Sequence, residues 1–177
     1  SNMSKVFSAC PLFDAHKTFV RLPMGAAMLH DYPDSKKFID KITVHIPDAP
    51  QEFAHTQSFL KSYSRKSEAT YRSYRNEVER LLLWSWTVAK KSIVSLKRAD
   101  LEAYFDFVHS PPAHWVATSV ADRFRPIDGQ ARQNQNWRPF VVKIAKQDRR
   151  KALDSGLTIP TTTSGHSLSH EAMKICY

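Results

Sequence analysis

The spacing of hydrophobic positions changes near residue 50 of this 177-residue chain. Beyond that point apolar residues recur at steps of three and four in several stretches, which is the period of an amphipathic helix. Ser67 is a suitable N-cap for the longest stretch, residues 67–91, and two shorter ones cover residues 51–64 and 96–110. The pattern therefore predicts three helices. The apolar face of the longest comprises Tyr71, Tyr74, Val78, Leu81, Leu82 and Trp86.

The first 50 residues lack this period. The segments KTFVRL and KITVHI, at 17–22 and 41–46, instead alternate β-branched and polar residues as short strands do. We therefore expect an irregular N-terminal arm over residues 1–50 with a short β-hairpin. Ser1 and Asn2, ahead of Met3, resemble the remnant of a cleaved tag and are set aside. Long helices are interrupted there by Pro11, Pro23, Pro33, Pro47 and Pro50.

Residues 111–165 form a polar stretch with scattered aromatic residues and many turn formers. We expect a basic, loop-rich insert there with a short helix over residues 141–153, and a further helix that begins after the insert at residue 167. The expected fold class is all-α, with a helical domain over residues 51–177 that carries this insert. The four tryptophans are expected to pack inside the protein rather than to stack on bases.

Composition narrows the range of functions. The hydrophobic content of 42% is enough for a core, and no apolar stretch approaches the ~20 residues that a membrane span needs. The net charge of +9 favours a polyanionic partner such as nucleic acid, although a basic face can also be plain solvated surface. Cys10 and Cys176 form no ligand or redox pair, so we expect reduced thiols in a cytoplasmic protein without a membrane partner.

Groups with catalytic or metal-binding patterns are scarce. His166 and His170 have the spacing of a zinc pair, but a third ligand is not evident nearby. Four glycines leave little material for a phosphate-binding loop, and Glu77 and Glu79 point to different helix faces. We therefore expect no catalytic residues, metal or cofactor in this chain.

The polar face of the second predicted helix has more to offer. Guanidinium and hydroxyl groups near a helix N-terminus can reach phosphates and base edges, and the helix dipole favours an anion there. A solvated surface is the alternative, because glutamates are interspersed. The candidate DNA contacts on this helix are Arg65, Lys66, Ser67, Thr70, Arg72, Ser73 and Arg75.

The order of these motifs resembles a known family. The pattern S-x-x-T-x-x-x-Y at Ser67, Thr70 and Tyr74, followed by an apolar stripe, is similar to the segment that opens the core-binding domain of phage integrases, the tyrosine recombinases. The segment SLKRADLEAYFDFV resembles the family's next helix, with Lys97 in place of a capping threonine. NWRPF at 136–140 resembles a feature of mobile-element integrases.

The resemblance implies a small SAM-like orthogonal helical bundle that clamps duplex DNA at a recombination core site. Other recombinase protomers would share that site, in a bacterial cytoplasm, and a separate domain would carry out catalysis. The alternatives are a helix-turn-helix regulator and a protein-interaction bundle with no nucleic-acid role. Further contacts implied outside the second helix are Lys97, Arg98, Arg138, Lys143 and Lys146.

The final residues, GHSLSHEAMKICY, invite comparison with the family's active site. There a Gly-His box precedes a tyrosine that attacks a DNA phosphate. Here His166 lies too far before Tyr177, and none of the eight histidines is followed by arginine at the third position. We therefore expect Tyr177 to have no catalytic role.

Overall fold

Two consecutive helices with long apolar faces form the centre of the structure. The computed structural model describes residues 9–142. Helix α3 covers Ala49–Ser64 and α4 covers Glu68–Trp84. The Ser67 hydroxyl accepts a hydrogen bond from the Thr70 backbone N–H at 3.1 Å, so the predicted N-cap is confirmed. One π-helical turn, Ser85–Ala89, extends α4 and ends at Lys90, whose φ is +56°.

Three short helices precede α3 in the described part of the chain, and the β-hairpin predicted for segments 17–22 and 41–46 is wrong. Helix α1 covers His16–Phe19, a 3₁₀ helix covers Gly25–Asp31, and α2 covers Pro33–Thr43. The alternation in KITVHI indicates a strand wrongly, because apolar residues two apart also fit the edge of a helical face. Val44 is 76% exposed whereas Ile46 is 5% exposed, and Ile39, seven residues or about two helical turns before Ile46, is also buried.

The N-terminal segment belongs to the same hydrophobic core as α3 and α4. The Phe13 and Phe53 rings stack with centroids 5.2 Å apart, and Phe13 meets Phe19 edge to face. All three side chains are buried in the principal core cluster. Burial of a phenylalanine side chain stabilises a fold by about 1.5–3 kcal/mol, so this segment contributes substantially to stability.

Residues 90–97 connect the π turn to α5, which covers Arg98–His109, and include a 3₁₀ turn at Ile93–Ser95. Glu52 of α3 orders this connection from within the core. Its carboxylate accepts hydrogen bonds from the Trp86 indole N–H at 3.0 Å and from the Ile93 backbone N–H at 2.9 Å. Tyr104 of α5 packs on Trp84 at a centroid distance of 5.3 Å, so α5 lies at the C-terminal end of α4.

The part of the basic insert that the structure describes contains short strands rather than loops alone. After a 3₁₀ turn at Ala113–Trp115, β1 (Val116–Ala117) pairs in parallel with β4 (Phe140–Val141). Strands β2 (Phe124–Ile127) and β3 (Gln130–Gln133) form an antiparallel hairpin. Its two-residue turn is Asp128–Gly129, with φ of +52° and +77°, a strong hairpin signal in the sequence.

The described residues are thus mostly helical with a small strand component, which agrees in outline with the all-α expectation. Within residues 9–142, no helix combines the length and apolar character that a bilayer crossing needs. The packing role expected for the tryptophans is confirmed by the burial of Trp84, Trp86, Trp115 and Trp137.

Candidate nucleic-acid interface

A cleft of about 830 Å³ lies between α4, from Glu68 to Arg80, and residues 117–141. Arginine is its most frequent charged side chain, contributed by α4 on one wall and by the insert on the other. Three acidic residues also line it, namely Asp14, Glu68 and Asp122. We call this feature the arginine cleft. Its arginines are Arg72, Arg75, Arg80, Arg123 and Arg138.

Two of these arginines are fully occupied in holding the fold together. Arg123 donates to Glu79 Oε1 and to Asn76 Oδ1, both at 2.7 Å, and its guanidinium lies 4.8 Å from the centre of the Trp137 ring. Arg80 donates to the Pro139 carbonyl at 2.8 Å. These contacts fasten the insert to α4 and leave both side chains almost wholly buried.

Arg75 is also buried, but its hydrogen-bond partners differ from those of Arg80 and Arg123. It is 8% exposed, yet the described residues place no carboxylate within 4.0 Å of its guanidinium. Its hydrogen bonds run to neutral oxygens, the Asp14 carbonyl at 3.3 Å and Asn76 Oδ1 at 3.1 and 3.3 Å. Burial, reinforced by the nearby charge of Arg123, lowers the pKa of Arg75 to about 10. Arg75 therefore remains a cation at neutral pH without an ion pair among the described residues, although the charge of Glu79, which is paired with Arg123, favours it.

Two more arginines stand at the mouth of the cleft. Arg72 has a side chain that is 57% exposed, with Glu68 at 3.8 Å, a distance and exposure that make for a weak ion pair. Arg138 donates from Nη1 to the backbone carbonyls of Gln135 and Trp137, at 2.7 and 2.8 Å. Both side chains present cationic groups toward the space between the walls.

Arg138 also lines a second, shallower depression of about 670 Å³ that adjoins the cleft. Arg125 of β2 lies there with the amide side chains of Asn134 and Asn136. In the hairpin register Arg125 stands directly opposite Arg132, a like-charge pair that destabilises a ladder unless anions compensate it. Asp34 compensates Arg132 with two hydrogen bonds of 3.0 Å, while Arg125 stays exposed.

The cations thus follow a continuous path, which we call the arginine track: Arg72, then Arg138, then Arg125. Most of the predicted contacts on α4 lie at the start of this track and are accessible. Among them the structure describes exposed side chains at Arg65, Lys66, Ser67, Arg72 and Ser73 and a half-buried one at Thr70.

Arg75 differs from the expectation that it lies on the exposed polar face. It lies inside the cleft, because the insert and the Asp14 segment cover that part of α4. Arg138 lines the cleft, and the guanidinium that lies over the Trp137 ring is that of Arg123.

Lys97 and Arg98 lie apart from the other candidates. They begin α5, at the C-terminal end of α4, and a helix of the length of α4 spans about 25 Å. Arg98 is exposed and pairs with Glu102 at 3.2 Å. Lys143, Lys146, the histidine pair and Tyr177 lie outside the described residues.

Asn76 and Arg80 line the cleft but are not among the contacts predicted from the sequence. Arg123 and Arg125 enter those predictions only as part of the basic insert. A helical-wheel projection places Asn76 and Arg80 four residues apart on one face, next to Arg72, so α4 carried a usable signal. The residues next to Arg123 and Glu79 in the sequence give no sign that these two side chains pair.

Comparison of the chain with models of protein families, with curated proteins and with solved structures finds no match.

Proposed function

We propose that this chain binds duplex DNA along the arginine track. The observation that carries the proposal is the convergence of Arg72 and Arg138, from distant parts of the sequence, on one cleft. The same cleft holds the buried Arg75, which forms no ion pair with the residues that the structure describes. Proteins that bind duplex DNA draw most of their affinity from cations that displace condensed counterions at phosphates. The net charge of +9 supplies a favourable long-range field for the same partner.

The biological role we propose is that of a core-binding domain of a tyrosine recombinase. In this role the chain clamps a recombination core site beside other protomers, while a separate domain cleaves the DNA. The support for this finer statement is the resemblance of the α4 and α5 segments to integrases and the accessible start of α4. Ser67, Arg72 and Ser73 combine hydroxyl and guanidinium donors there.

The connection between α4 and α5 argues against a helix-turn-helix regulator. That motif joins its two helices by a turn of about 3–4 residues, so that the second helix can enter the major groove. In this protein residues 90–97 separate the helices and contain their own 3₁₀ turn.

Fluorescence anisotropy with a short labelled duplex, measured over a series of salt concentrations, tests the proposal. We expect binding whose logarithm falls steeply with the logarithm of salt, by ~0.9 for each phosphate contact. Arg72→Ala and Arg138→Ala should each weaken binding about tenfold and flatten this slope by about one contact.

Lys36→Ala is the matched control, because Lys36 is 59% exposed and forms an i,i+4 pair with Asp40, as Arg72 does with Glu68, but lines neither cavity. It should bind duplex like the parent. Absence of duplex binding by the parent at low salt would contradict the proposal and leave a protein-interaction bundle as the better account. Equal losses from all three variants would show that charge alone, and not the arginine track, drives binding.

A further inference from the structure

Two guanidinium groups in the arginine cleft share one neutral acceptor. Asn76 Oδ1 accepts from Arg123 at 2.7 Å and from Arg75 at 3.1 and 3.3 Å. Like charges brought to one oxygen repel each other in a buried setting, where electrostatic interactions are strong. Glu79 pairs with Arg123 at 2.7 Å, and its charge also favours the Arg75 cation, but no carboxylate of the described residues lies within 4.0 Å of Arg75.

The hydrogen bonds of Arg75 leave capacity for a further ligand. A guanidinium carries five N–H donors, and Arg75 uses one on each of its three nitrogens, at distances of 3.1–3.3 Å. Arg138 uses only Nη1, so its Nε and Nη2 donors are free of the contacts described. Both arginines line the same space, as does Arg72.

The acidic residues around the cleft do not fill this role. The Asp14 carboxylate is held by the Ala15 backbone N–H at 2.7 Å and by the Tyr32 hydroxyl at 2.5 Å. Glu68 is largely exposed, and its one ion pair within residues 9–142 is with Arg72 at 3.8 Å. Asp122 is exposed.

We infer that Arg75, Arg138 and Arg72 form a binding site for one phosphate group inside the arginine cleft. A tetrahedral oxyanion matches the requirement, since it accepts several N–H donors at once and supplies the missing negative charge. We take the phosphate to be one of the DNA backbone, and this assignment of its source rests on the proposed function. A free phosphate offers the same chemistry and is distinguished by experiment.

The rival explanation is that Arg75 only fastens the Asp14 segment to α4. That role uses one 3.3 Å bond to a neutral carbonyl. Arg80, which does fasten the insert, forms a 2.8 Å bond to a carbonyl and has a buried carboxylate partner at 3.4 Å. Both arginines lie over an aromatic ring, Arg80 at 4.4 Å and Arg75 at 5.7 Å, so the carboxylate partner is what distinguishes Arg80. A purely structural Arg75 predicts no response to phosphate beyond that of other variants.

The test is thermal unfolding of the 177-residue chain in inorganic phosphate and in chloride at equal ionic strength. For the parent we expect phosphate to raise Tm by about 2–4 °C more than chloride does. Phosphate also stabilises proteins generally by exclusion from their surface, so the informative quantity is the difference between variants.

Arg138→Gln and Arg72→Gln should lose most of the phosphate-specific rise, and Glu68→Gln should increase it by removing a competing negative charge at the mouth. Lys36→Gln should behave like the parent, because Lys36 lines neither cavity. Arg75→Gln should abolish the rise if it folds, and the two mouth variants decide the matter if it does not. A rise that is equal in all variants, or that is absent in the parent, would overturn the inference.

Duplex titration separates this inference from the proposed function. Phosphate-specific stabilisation without duplex binding would support the site and assign it to a free phosphate, contradicting the DNA proposal. Duplex binding without phosphate-specific stabilisation would support the DNA proposal and refute the site. With both present, inorganic phosphate should displace duplex more strongly than chloride of equal ionic strength, and Arg138→Gln should remove that difference.

Discussion

Arg72 and Arg75 lie nearly one turn apart on α4 and occupy opposite environments. The side chain of Arg72 is 57% exposed, whereas Arg75 is 8% exposed beneath the Asp14 segment. The two residues are identical, so their difference arises entirely from what packs against α4. An exposed arginine contributes to affinity through counterion release, and a buried one is retained only where an anion or several hydrogen bonds compensate it.

Glu77 is the corresponding acidic case. It is 1% exposed, its Oε1 lies 3.4 Å from Arg80, and burial raises its pKa although the charge of Arg80 opposes the rise. A carboxyl group whose folded-state pKa is raised stabilises the fold below its unfolded pKa of about 4.3 and loses that contribution as pH rises through the folded value.

We therefore predict a pH-dependent difference between the parent and Glu77→Gln. As pH increases from about 4 toward 7, the free energy of unfolding should shift in favour of the glutamine variant, because glutamine carries no charge to bury. Urea denaturation of both proteins over a pH series measures this difference. A difference that is constant with pH, or that moves in favour of the parent, would contradict the prediction.

At the scale of elements, Glu79 joins three parts of the chain. Its Oε2 accepts from the backbone N–H groups of Leu12 and Phe13, at 2.8 and 3.1 Å, and its Oε1 accepts from Arg123. One carboxylate therefore fastens both the N-terminal segment and the hairpin-bearing insert to α4.

We predict that Glu79→Ala lowers the free energy of unfolding by about 3–5 kcal/mol, because it leaves a buried guanidinium and two buried N–H groups without an acceptor. Urea denaturation measures the change. Glu102→Ala is the control, since Glu102 forms an exposed pair with Arg98 and should cost less than about 1 kcal/mol. Similar losses from both variants would show that Glu79 does not act as a joint.

Elements that depend on interactions between residues close in sequence are the ones that the sequence predicts correctly. The α4 stripe and the Ser67 cap depend on residues within one or two turns, and both were predicted. The segments at 17–22 and 41–46 were assigned wrongly because a six-residue apolar pattern fits a strand and the end of a helix equally well. The Asp128–Gly129 turn is a local signal for the β2–β3 hairpin that is absent from the predictions.

At the scale of the whole molecule, the residues before α3 are part of one core. Phe13 is wholly buried against Phe53 of α3, and the Asp14 carbonyl accepts from the Tyr71 hydroxyl of α4 at 2.8 Å. The floor of the arginine cleft depends on this packing, since Asp14 and Ala15 line it.

We predict that Phe13→Ala lowers the free energy of unfolding by about 3–5 kcal/mol, as expected when a buried ring leaves a cavity. Val20→Ala, in the same segment but 41% exposed, should cost less than about 1 kcal/mol. Calorimetric or urea unfolding measures both. Equal and small effects would show that the N-terminal segment is a dispensable arm.

By itself the sequence determined α3, α4, α5 and the basic character of the start of α4, because helical periodicity, capping and charge are properties of neighbouring residues. Only the tertiary structure decided which arginines are paired. Arg123 meets Glu79 across 44 positions and Arg138 faces Arg72 across a cleft. Such contacts depend on how the chain folds back on itself, so nothing in the local pattern distinguished the buried, unpaired Arg75 from its exposed neighbour Arg72.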